Sequence, residues 1–384
     1  MVYDFDRLID RRETDSVKWR QYGDGVLPMW VADMDFRSPE PVIQALAERV
    51  AHGVFGYGIE PEELRALLVE RLEQLYGWRV TPEAIVFLPG VVIGFRLACR
   101  AVAAPGDGVL VQTPVYPPIL QAWRDTGLSR REMELTREAD GHYSIDLEAF
   151  ERAIDARTRI FILCNPHNPV GRVFREDELT RMAEICLRHG VTICSDEIHG
   201  DLIYAGYRHR PIASLAPEIA EHTVTLMAPS KTFNIAGLHC AFAVVPNPAL
   251  RERLCAAQAG LVGHPNILDY TAALAAYRHG QDWLDAVLAY LKGNRDAVVE
   301  YVRTRLPGIG VGVPEGTYLA WLDCRAAGIP GSPQKFFLER ARVAMNEGAE
   351  FGSGGEGFVR LNFGCPRSLL IEALERMEAA LATL

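Results

Sequence analysis

Hydrophobic and polar positions follow a helical period in the first part of the chain. Leucines recur on one face between residues 62 and 76, and we predict an amphipathic helix there that Gly77 ends. An earlier helix is predicted to start after Ser38-Pro39-Glu40, where a capping residue, a proline and an acid stand together, and to end near His52. The first ~35 residues show no such period and are predicted to be irregular.

From about residue 85 the pattern changes to short β-branched runs that alternate with helical stretches. The runs predicted as strands cover residues 85–88, 109–112, 159–164, 191–195, 223–227 and 240–245. Helices are predicted after Gly90 and over residues 177–188. This alternation predicts an α/β fold with a mostly parallel sheet between helices. Because such sheets bind ligands outside the carboxyl ends of their strands, polar clusters at those ends are candidate site residues.

The pattern changes again beyond about residue 285. We predict a long helix, two strands and a terminal helix over residues 284–305, 311–321, 357–363 and 367–384. This run of elements indicates a second, smaller α+β domain. The expected organisation is an N-terminal segment that packs with the small domain, a large domain and a small C-terminal domain, at residues 1–40, 41–285 and 286–384.

Composition narrows the class of protein. The chain has 384 residues, of which 49% are hydrophobic and 23% charged, as in globular proteins with room for two domains. The formal net charge of −10 argues against nucleic acid or an anionic membrane as partner, and no apolar run is long enough to span a bilayer. The N-terminus is acidic and does not resemble a signal peptide. The eight cysteines are scattered without Cys-x-x-Cys or zinc-type spacing, so we expect free thiols, no metal and a cytoplasmic location.

Lys231 is the first candidate for chemistry. It stands between two hydroxyl residues, four positions after the end of the apolar run at residues 223–227. A lysine at a strand end is ordinarily exposed at the surface. A lysine kept in a desolvated pocket instead loses its proton more readily and becomes a nucleophile that can form a Schiff base.

Other segments carry the groups that a pyridoxal phosphate site needs besides the lysine. The site requires an acid for the pyridine nitrogen, a donor to the phenolic oxygen, a stacking aromatic ring, a helix N-terminus for phosphate and an arginine for a carboxylate substrate. In that order the candidates are Asp196, Asn168, Tyr116, Gly90-Val91-Val92 and Arg360. Each has an ordinary structural alternative, such as a capping aspartate or a salt-bridged arginine. Their joint occurrence at predicted strand ends favours the site. The acidic and apolar segment around Asp33 and Asp35 is a further candidate for a site edge, or else a loop packed on the core.

Four segments resemble fold-type I pyridoxal phosphate enzymes of the aminotransferase class I/II superfamily. They are Asn165–Gly171, Ser195–His199, Ser230–Asn234 and Arg360–Arg367. Two further segments, residues 28–36 and 54–57, resemble the MalY/PatB-type C–S lyases, also called cystathionine β-lyases. The resemblance covers nearly the whole chain. It implies the PLP-transferase fold of type I, with a large domain built on a seven-stranded type of sheet, and a homodimer with shared active sites.

The resemblance also implies roles for individual residues. Lys231 would be the Schiff-base lysine and proton shuttle. Asp196 would pair with the pyridine nitrogen, and Asn168 would bind the phenolic oxygen and lie beside the substrate. Tyr116 would stack on the ring and act in catalysis. The remaining implied contacts are Ile198 on the opposite ring face, His199 beside the phenolic oxygen, Gly90, Val91, Val92 and Ser230 on the phosphate, Arg360 and the backbone around Ala32 on the substrate carboxylate, and a catalytic Tyr57 reaching the phosphate of the neighbouring subunit.

One segment departs from the superfamily pattern. Many members carry Gly-x-Arg shortly after the lysine, with the arginine on the phosphate, whereas this chain has Gly237-Leu238-His239. The C–S lyase branch varies at this position, so the departure favours that branch and leaves only the phosphate contact of His239 open.

The predicted reaction is α,β-elimination of L-cystathionine or a related cysteine S-conjugate to a thiol, pyruvate and ammonia. An aminotransferase would use the same residues and differ only in where the proton returns. A biosynthetic enzyme acting on a bulky sulfur conjugate or another amino acid is a further alternative. A regulatory binding protein of the same fold is the alternative from a different class.

Overall fold

A seven-stranded sheet forms the centre of the computed structural model, which describes residues 3–124 and 126–384, so that Met1 and Val2 of the predicted N-terminal segment lie outside the described residues. Its strands are β1 (Ile85–Leu88), β2 (Gly108–Thr113), β3 (Ser129–Glu134), β4 (Thr158–Cys164), β5 (Thr192–Asp196), β6 (Thr223–Met227) and β7 (Ala241–Val244). They lie in the order β1-β7-β6-β5-β4-β2-β3. Only β7 among these seven runs antiparallel to its neighbours. The prediction of a mostly parallel sheet is therefore confirmed.

Helices cover both faces of this sheet, which explains why its central strands are apolar on both sides. In β4, Ile160, Phe161 and Leu163 are fully buried. The helices up to residue 279 are Val17–Arg20, Glu40–His52, Glu62–Tyr76, Val91–Val102, Pro117–Leu120, Leu147–Arg152, Glu176–Arg188, Pro217–Ala220, Pro229–Thr232, Pro248–Gln258 and Ile267–His279, with 3₁₀ turns at Pro82–Ala84 and Ile212–Ser214. The two helices predicted before residue 77 have the expected bounds.

Several elements of this layer, among them one strand and two long helices, were not predicted from the sequence pattern. Strand β3 has the sequence Ser-Arg-Arg-Glu-Met-Glu, which is polar because β3 is one of the two edge strands and is partly accessible to solvent. The helices Pro248–Gln258 and Ile267–His279 were also not predicted. Among the described residues, no helix combines the length and the apolarity that crossing a membrane requires.

A second, antiparallel sheet follows the long helix Gln281–Arg305. Its strands are β8 (Gly310–Val311), β9 (Leu319–Asp323), β10 (Asn346–Glu347) and β11 (Phe358–Asn362), in the order β8-β9-β11-β10. The remaining elements are the helices Pro333–Phe336 and Arg367–Leu381, a π-helical turn at Phe337–Ala341, a 3₁₀ turn at Gly348–Phe351, and the short strand pairs Leu27–Pro28 with Val343–Ala344 and Thr136–Arg137 with Tyr143–Ser144.

The prediction of one strand over residues 311–321 is wrong. Residues 312–318 leave the small sheet and pack on loops that follow strands of the large one, where the N–H groups of Glu315 and Thr317 donate to the carbonyls of Gly171 and Leu202 at 2.8 Å. Gly312, Pro314 and Gly316 interrupt the strand-to-strand hydrogen bonds here, since proline has no N–H to donate and glycine weakens a strand. This segment ties the small sheet to the loop after β4.

The N-terminal segment lies against the small sheet. Its Leu27–Pro28 strand pairs in parallel with Val343–Ala344, and the N–H of Asn362 in β11 donates to the carbonyl of Met29 at 2.9 Å. The first ~35 residues are otherwise irregular, as predicted, apart from the short helix Val17–Arg20. The domain boundaries at residues 40 and 285 stay predictions.

Candidate active site

Lys231 lies at the carboxyl end of β6, in the helical turn Pro229–Thr232. Its Nζ donates a hydrogen bond to the carbonyl oxygen of Ala32 at 2.7 Å. Burial lowers the pKa of this amine to about 8, while the nearby carboxylate of Asp33 opposes the shift and Arg360 adds to it. The side chain is half-buried rather than sealed. Lys231 is therefore a half-buried amine of which a minor fraction is neutral at pH 7.

Asp196 is the last residue of β5, and 4% of it is exposed. Its Oδ1 accepts a hydrogen bond from the N–H of Ile198 at 3.2 Å. Burial raises the pKa of this carboxyl group to about 7, against the effects of the Ile198 N–H and of Lys231. Within the described residues it has no lysine or arginine at ion-pair distance. A cationic N–H group placed against Asp196 would supply the counter-charge that the fold leaves out.

We expect Asp196→Asn to change how the stability of the ligand-free chain depends on pH. The unfolded chain loses this proton near pH 4 and the folded chain near pH 7, so the folded state binds more protons in between. The free energy of unfolding contributed by Asp196 therefore falls as pH rises through this window, by at most about 4 kcal/mol. The variant should gain about 2–4 kcal/mol relative to the parent between pH 4 and 7 in urea unfolding.

The parent and the variant must be compared at each pH, because buried histidines change the free energy of unfolding with pH in the opposite direction to Asp196. Burial lowers the pKa of His199 to about 3 and that of His167 to about 4, so both contribute stability that increases with pH over part of the same window. Asp285→Asn, on an exposed helix face, is the matched control. Parallel pH profiles for the parent and Asp196→Asn would contradict the prediction.

Arg360 lies in β11 and is 4% exposed. Its Nη1 donates to Oδ1 of Asn168 at 3.0 Å, and its Nη2 donates to the carbonyl of Trp30 at 2.9 Å and to Oδ1 of Asn346 at 2.6 Å. Its Nε has no hydrogen-bond partner in the described part of the chain, nor is a carboxylate at ion-pair distance there. Burial lowers the pKa of the guanidinium to about 10. A buried cation held only by neutral acceptors is suited to bind an anion.

Tyr116 and Asn168 are joined through the backbone, since the N–H of Tyr116 donates to the carbonyl of Asn168 at 3.0 Å. Burial raises the pKa of the Tyr116 phenol, which is therefore neutral. His199 is 3% exposed, its Nδ1 has no hydrogen-bond partner among the described residues, and burial keeps its imidazole neutral. Ile198, beside it, is half-buried.

The predicted phosphate site is a helix N-terminus. Gly90 precedes the helix Val91–Val102, and a side chain at Gly90 would meet no atom within 4 Å, so the space in front of this turn is open. The first N–H groups of a helix have no partner within it and favour negative charge. Val92 and Ser230 are half-buried. The structure thus gives Gly90, Val91 and Val92 the helix-start geometry that the prediction needs.

Tyr57 and His239 do not join this cluster within one chain. Tyr57 is fully exposed, at 109% of its reference area, on a segment without helix or strand. The backbone N–H of His239 donates to Oδ1 of Asp269 at 2.9 Å, and the residue as a whole is exposed. The phosphate contact of Tyr57 with a neighbouring subunit stays a prediction, and that of His239 stays open.

The segment from Val31 to Asp35 is an edge of the site rather than an ordinary surface loop. Asp35 is 3% exposed and forms ion pairs with Lys18 and Arg11, both at 2.7 Å. Arg11 also pairs with Asp33 at 2.6 Å. These ionic contacts hold the segment so that the Ala32 carbonyl reaches Lys231.

Sequence reasoning missed Tyr318 and Asn346. The hydroxyl of Tyr318 donates to the carbonyl oxygen of Ala32 at 2.8 Å, and Asn346 binds Arg360. A tyrosine just before a strand and an asparagine in a two-residue strand are unremarkable in the sequence. The contact of Asn346 arises because it pairs with Arg360 across strands β10 and β11. That of Tyr318 arises because the segment before β9 packs against the N-terminal segment.

Comparisons with known proteins identify the family of this chain. The family profile described as aminotransferase class I and II matches residues 26–377. The chain is 42% identical to cystathionine beta-lyase PatB of Bacillus subtilis, over 98% of this chain and 100% of PatB. Among solved structures it is similar to OvoB, with 44% identity, a TM-score of 0.95 and full coverage of both chains. It is also similar to cystalysin of Treponema denticola, whose structure contains pyridoxal 5'-phosphate, with 35% identity, a TM-score of 0.96 and full coverage of both chains.

Proposed function

This chain belongs to the aminotransferase class I and II family as a pyridoxal-phosphate-dependent carbon–sulfur lyase, and we propose that it acts on L-cystathionine or a related cysteine S-conjugate. It shares the type I fold of pyridoxal phosphate enzymes with cystalysin. The observation that carries the proposal is the convergence of Lys231, Asp196 and Arg360 at one site. Each is a buried or half-buried ionisable group without a counter-ion of its own in the described part of the chain.

The site fits the cofactor at three points. The amine of Lys231 is the group that would bond to the aldehyde. The carboxyl of Asp196, with its pKa raised by burial, would hold the ring nitrogen in its protonated form. The N-terminus at Gly90-Val91-Val92, with the hydroxyl of Ser230, would bind the phosphate. A matched acid, amine and helix N-terminus are the donor set that this cofactor requires.

The remaining cofactor contacts are assigned by the same reasoning. We assign the ring-stacking position to Tyr116 and the opposite face to Ile198, which lies two residues after Asp196. Asn168 would donate its amide N–H to the phenolic oxygen while its Oδ1 accepts from Arg360. His199 would lie beside that oxygen, because its unpartnered Nδ1 is buried in the same region.

Arg360 would position the substrate. A free amino-acid carboxylate can accept from its guanidinium, which Asn168 and Asn346 already hold in place. The backbone around Ala32 would bind the other carboxylate oxygen. Because the arginine is desolvated before the substrate arrives, little reorganisation is needed on binding.

Lys231 would transfer the proton. With its pKa lowered to about 8 by burial, part of its population is neutral near pH 7 and can take the proton from the α-carbon. The bound cofactor supplies an electron sink for the negative charge that the α-carbon then carries. The C–S bond would break with its electron pair going to sulfur, and the neutral phenol of Tyr116 could then protonate the leaving thiolate. Water enters, and the products are a thiol, pyruvate and ammonia.

A product assay tests the function directly. With L-cystathionine, the purified enzyme should release pyruvate, ammonia and a free thiol in equal amounts, because one elimination gives one of each. A panel of S-alkyl and bulkier cysteine conjugates, scored in the same way, would rank the substrates. Serine, which lacks sulfur, is the control for bond selectivity.

The same assay separates the alternatives. Transfer of the amino group to 2-oxoglutarate without net ammonia would identify an aminotransferase instead. Turnover of bulky conjugates with no activity on cystathionine would identify the biosynthetic alternative. If no conjugate in the panel gave pyruvate, the lyase proposal would be wrong.

We also propose a homodimer in which Tyr57 serves the site of the neighbouring subunit. The exposed side chains around it are unusually apolar for a surface, with Val54 at 61%, Phe55 at 58% and Ile59 at 85% exposure. A second copy of the chain would cover this segment and bring Tyr57 to a phosphate. A cytoplasmic location is proposed with it, since seven of the eight free cysteines are buried thiols.

A further inference from the structure

The carbonyl oxygen of Ala32 accepts two side-chain hydrogen bonds. One comes from Nζ of Lys231 at 2.7 Å and the other from the hydroxyl of Tyr318 at 2.8 Å. The two donors are therefore at most about 5.5 Å apart, the two contacts laid end to end. No role assigned so far uses Tyr318, although it reaches the same oxygen as the catalytic amine.

Neighbouring carbonyls of this segment each have a permanent partner. The amide of Asn362 donates to the carbonyls of Val31 and Asp33, and Lys18 donates to that of Asp33 at 2.9 Å. The amide of Asn234 donates to the carbonyl of Met34 at 2.9 Å. The carbonyl of Ala32 differs, because one of its two donors is a lysine that must leave it to bond elsewhere. Tyr318 is the donor that stays.

A strained residue precedes Tyr318. Thr317 has a φ of +67°, in the left-handed region that β-branched residues rarely adopt. It is held there by three contacts: its N–H donates to the carbonyl of Leu202 at 2.8 Å, its carbonyl accepts from the hydroxyl of Tyr204 at 2.6 Å, and its Oγ1 accepts from the N–H of Leu319. Such strain persists where the surroundings enforce it, often at functional sites.

Tyr318 is a permanent donor rather than a base. It is 1% exposed, and burial raises the pKa of its phenol well above the usual value, with the carboxylate of Asp33 acting in the same sense and Arg360 opposing it. The ring of His199 lies edge-on at 6.0 Å. The phenol is therefore protonated at every pH at which the enzyme would work.

We propose that Tyr318 is a positioning residue that keeps the Ala32 carbonyl hydrogen-bonded while Lys231 is bonded to the cofactor, and so holds the acceptor to which the freed amine returns. The proposal rests on the role of Lys231 in the proposed function. Without the hydroxyl, that carbonyl would lose its remaining side-chain donor whenever Lys231 moved to the cofactor. The free state of the lysine would then be favoured over the bonded state.

The test is a two-by-two set of chains: the parent, Tyr318→Phe, Lys231→Ala and the double variant. Affinity for pyridoxal phosphate is measured on each cofactor-free chain by absorbance and fluorescence titration. We expect Tyr318→Phe to weaken binding about tenfold when Lys231 is present, which is the scale of one lost hydrogen bond, and to leave binding unchanged when Lys231 is absent. In the loaded enzyme, kcat should fall about tenfold while the KM for substrate stays within twofold.

Each outcome decides the proposal. Equal weakening with and without Lys231 would assign Tyr318 a merely structural role, and unchanged binding in both backgrounds would assign it none. A loss carried by KM instead of kcat would also overturn the proposal. Failure of the parent to bind pyridoxal phosphate at all would overturn the proposed function instead.

Tyr143→Phe is the matched control. Tyr143 is also buried, and its phenol oxygen accepts a hydrogen bond from Nε1 of Trp321 at 3.1 Å, without contact to Ala32. This variant should bind pyridoxal phosphate as the parent does and keep its kcat. Thermal unfolding of all the chains checks that loss of a buried hydroxyl has not unfolded them.

Discussion

Replacing Lys231 by alanine is expected to lower kcat/KM for β-elimination by at least about 10⁴-fold, because the chain loses both its proton-transfer group and its covalent attachment to the cofactor. The structure adds a reason why no neighbour would substitute. Lys18, another buried lysine near the Ala32 segment, is held by Asp35 at 2.7 Å and by the carbonyl of Asp33. Pyruvate release from L-cystathionine measures the loss.

The control is Lys292→Ala, which removes an exposed lysine paired with Asp296 and should leave turnover unchanged. Lys231→Ala also addresses the alternative of a regulatory binding protein. If activity collapsed while a binding function in the cell survived, that alternative would gain support. Substantial residual turnover in Lys231→Ala would contradict the assignment of the lysine.

The same variant tests whether two chains build one site. A mixture of Lys231→Ala and Tyr57→Ala chains, dissociated and reassociated, forms hybrids in which one site has both an intact lysine and an intact partner tyrosine. We expect the mixture to recover a measurable fraction of activity that neither variant shows alone. If Tyr57 acted within its own chain, or not at all, mixing would recover nothing beyond the sum of the two variants.

Replacing Arg360 by alanine is the second large effect that we expect. Removing one partner of a buried charged contact costs about 2–4 kcal/mol, which corresponds to a loss on the order of 100-fold in kcat/KM. Arg360 has no carboxylate partner among the described residues, so its removal leaves no carboxylate without a counter-ion there. The loss also includes the hydrogen bonds to Asn168 and Asn346, and the substrate contact is separated from them by a substrate analogue. Arg360→Lys should recover little, because an ammonium cannot reproduce the guanidinium fork.

A substrate analogue isolates the contact. The parent should discriminate against the α-carboxamide of a cysteine conjugate on the order of 100-fold, and Arg360→Ala should lose most of that discrimination. Arg305→Ala, which removes an exposed arginine paired with Glu378, is the control. Equal discrimination by the parent and Arg360→Ala would show that the carboxylate binds elsewhere.

Much of the large sheet could be predicted from the sequence because its signals are local. Six of its seven strands are apolar runs that are buried between helices. An apolar run is therefore enough to predict each of these strands. Lys231, Asp196 and Asn168 stand at or shortly after the ends of such runs, and strand ends of a parallel sheet meet at one edge. Strand β3 was not predicted because it lies at an edge of the sheet, where a strand can be polar and only partly buried.

The arrangement inside the site was decided by tertiary structure alone. The carbonyl of Ala32 meets Lys231 across 199 positions and Tyr318 across 286, and no local pattern carries information over such separations. The break of the predicted strand at residues 312–318 has the same origin, since that segment is held by carbonyls of the large sheet's loops. The sequence by itself therefore determined the fold class, the family and the candidate residues for a site around Lys231. Packing of the small sheet and the N-terminal segment onto the strand ends decided which backbone oxygen accepts a hydrogen bond from that lysine. It also decided which tyrosine donates to the same oxygen.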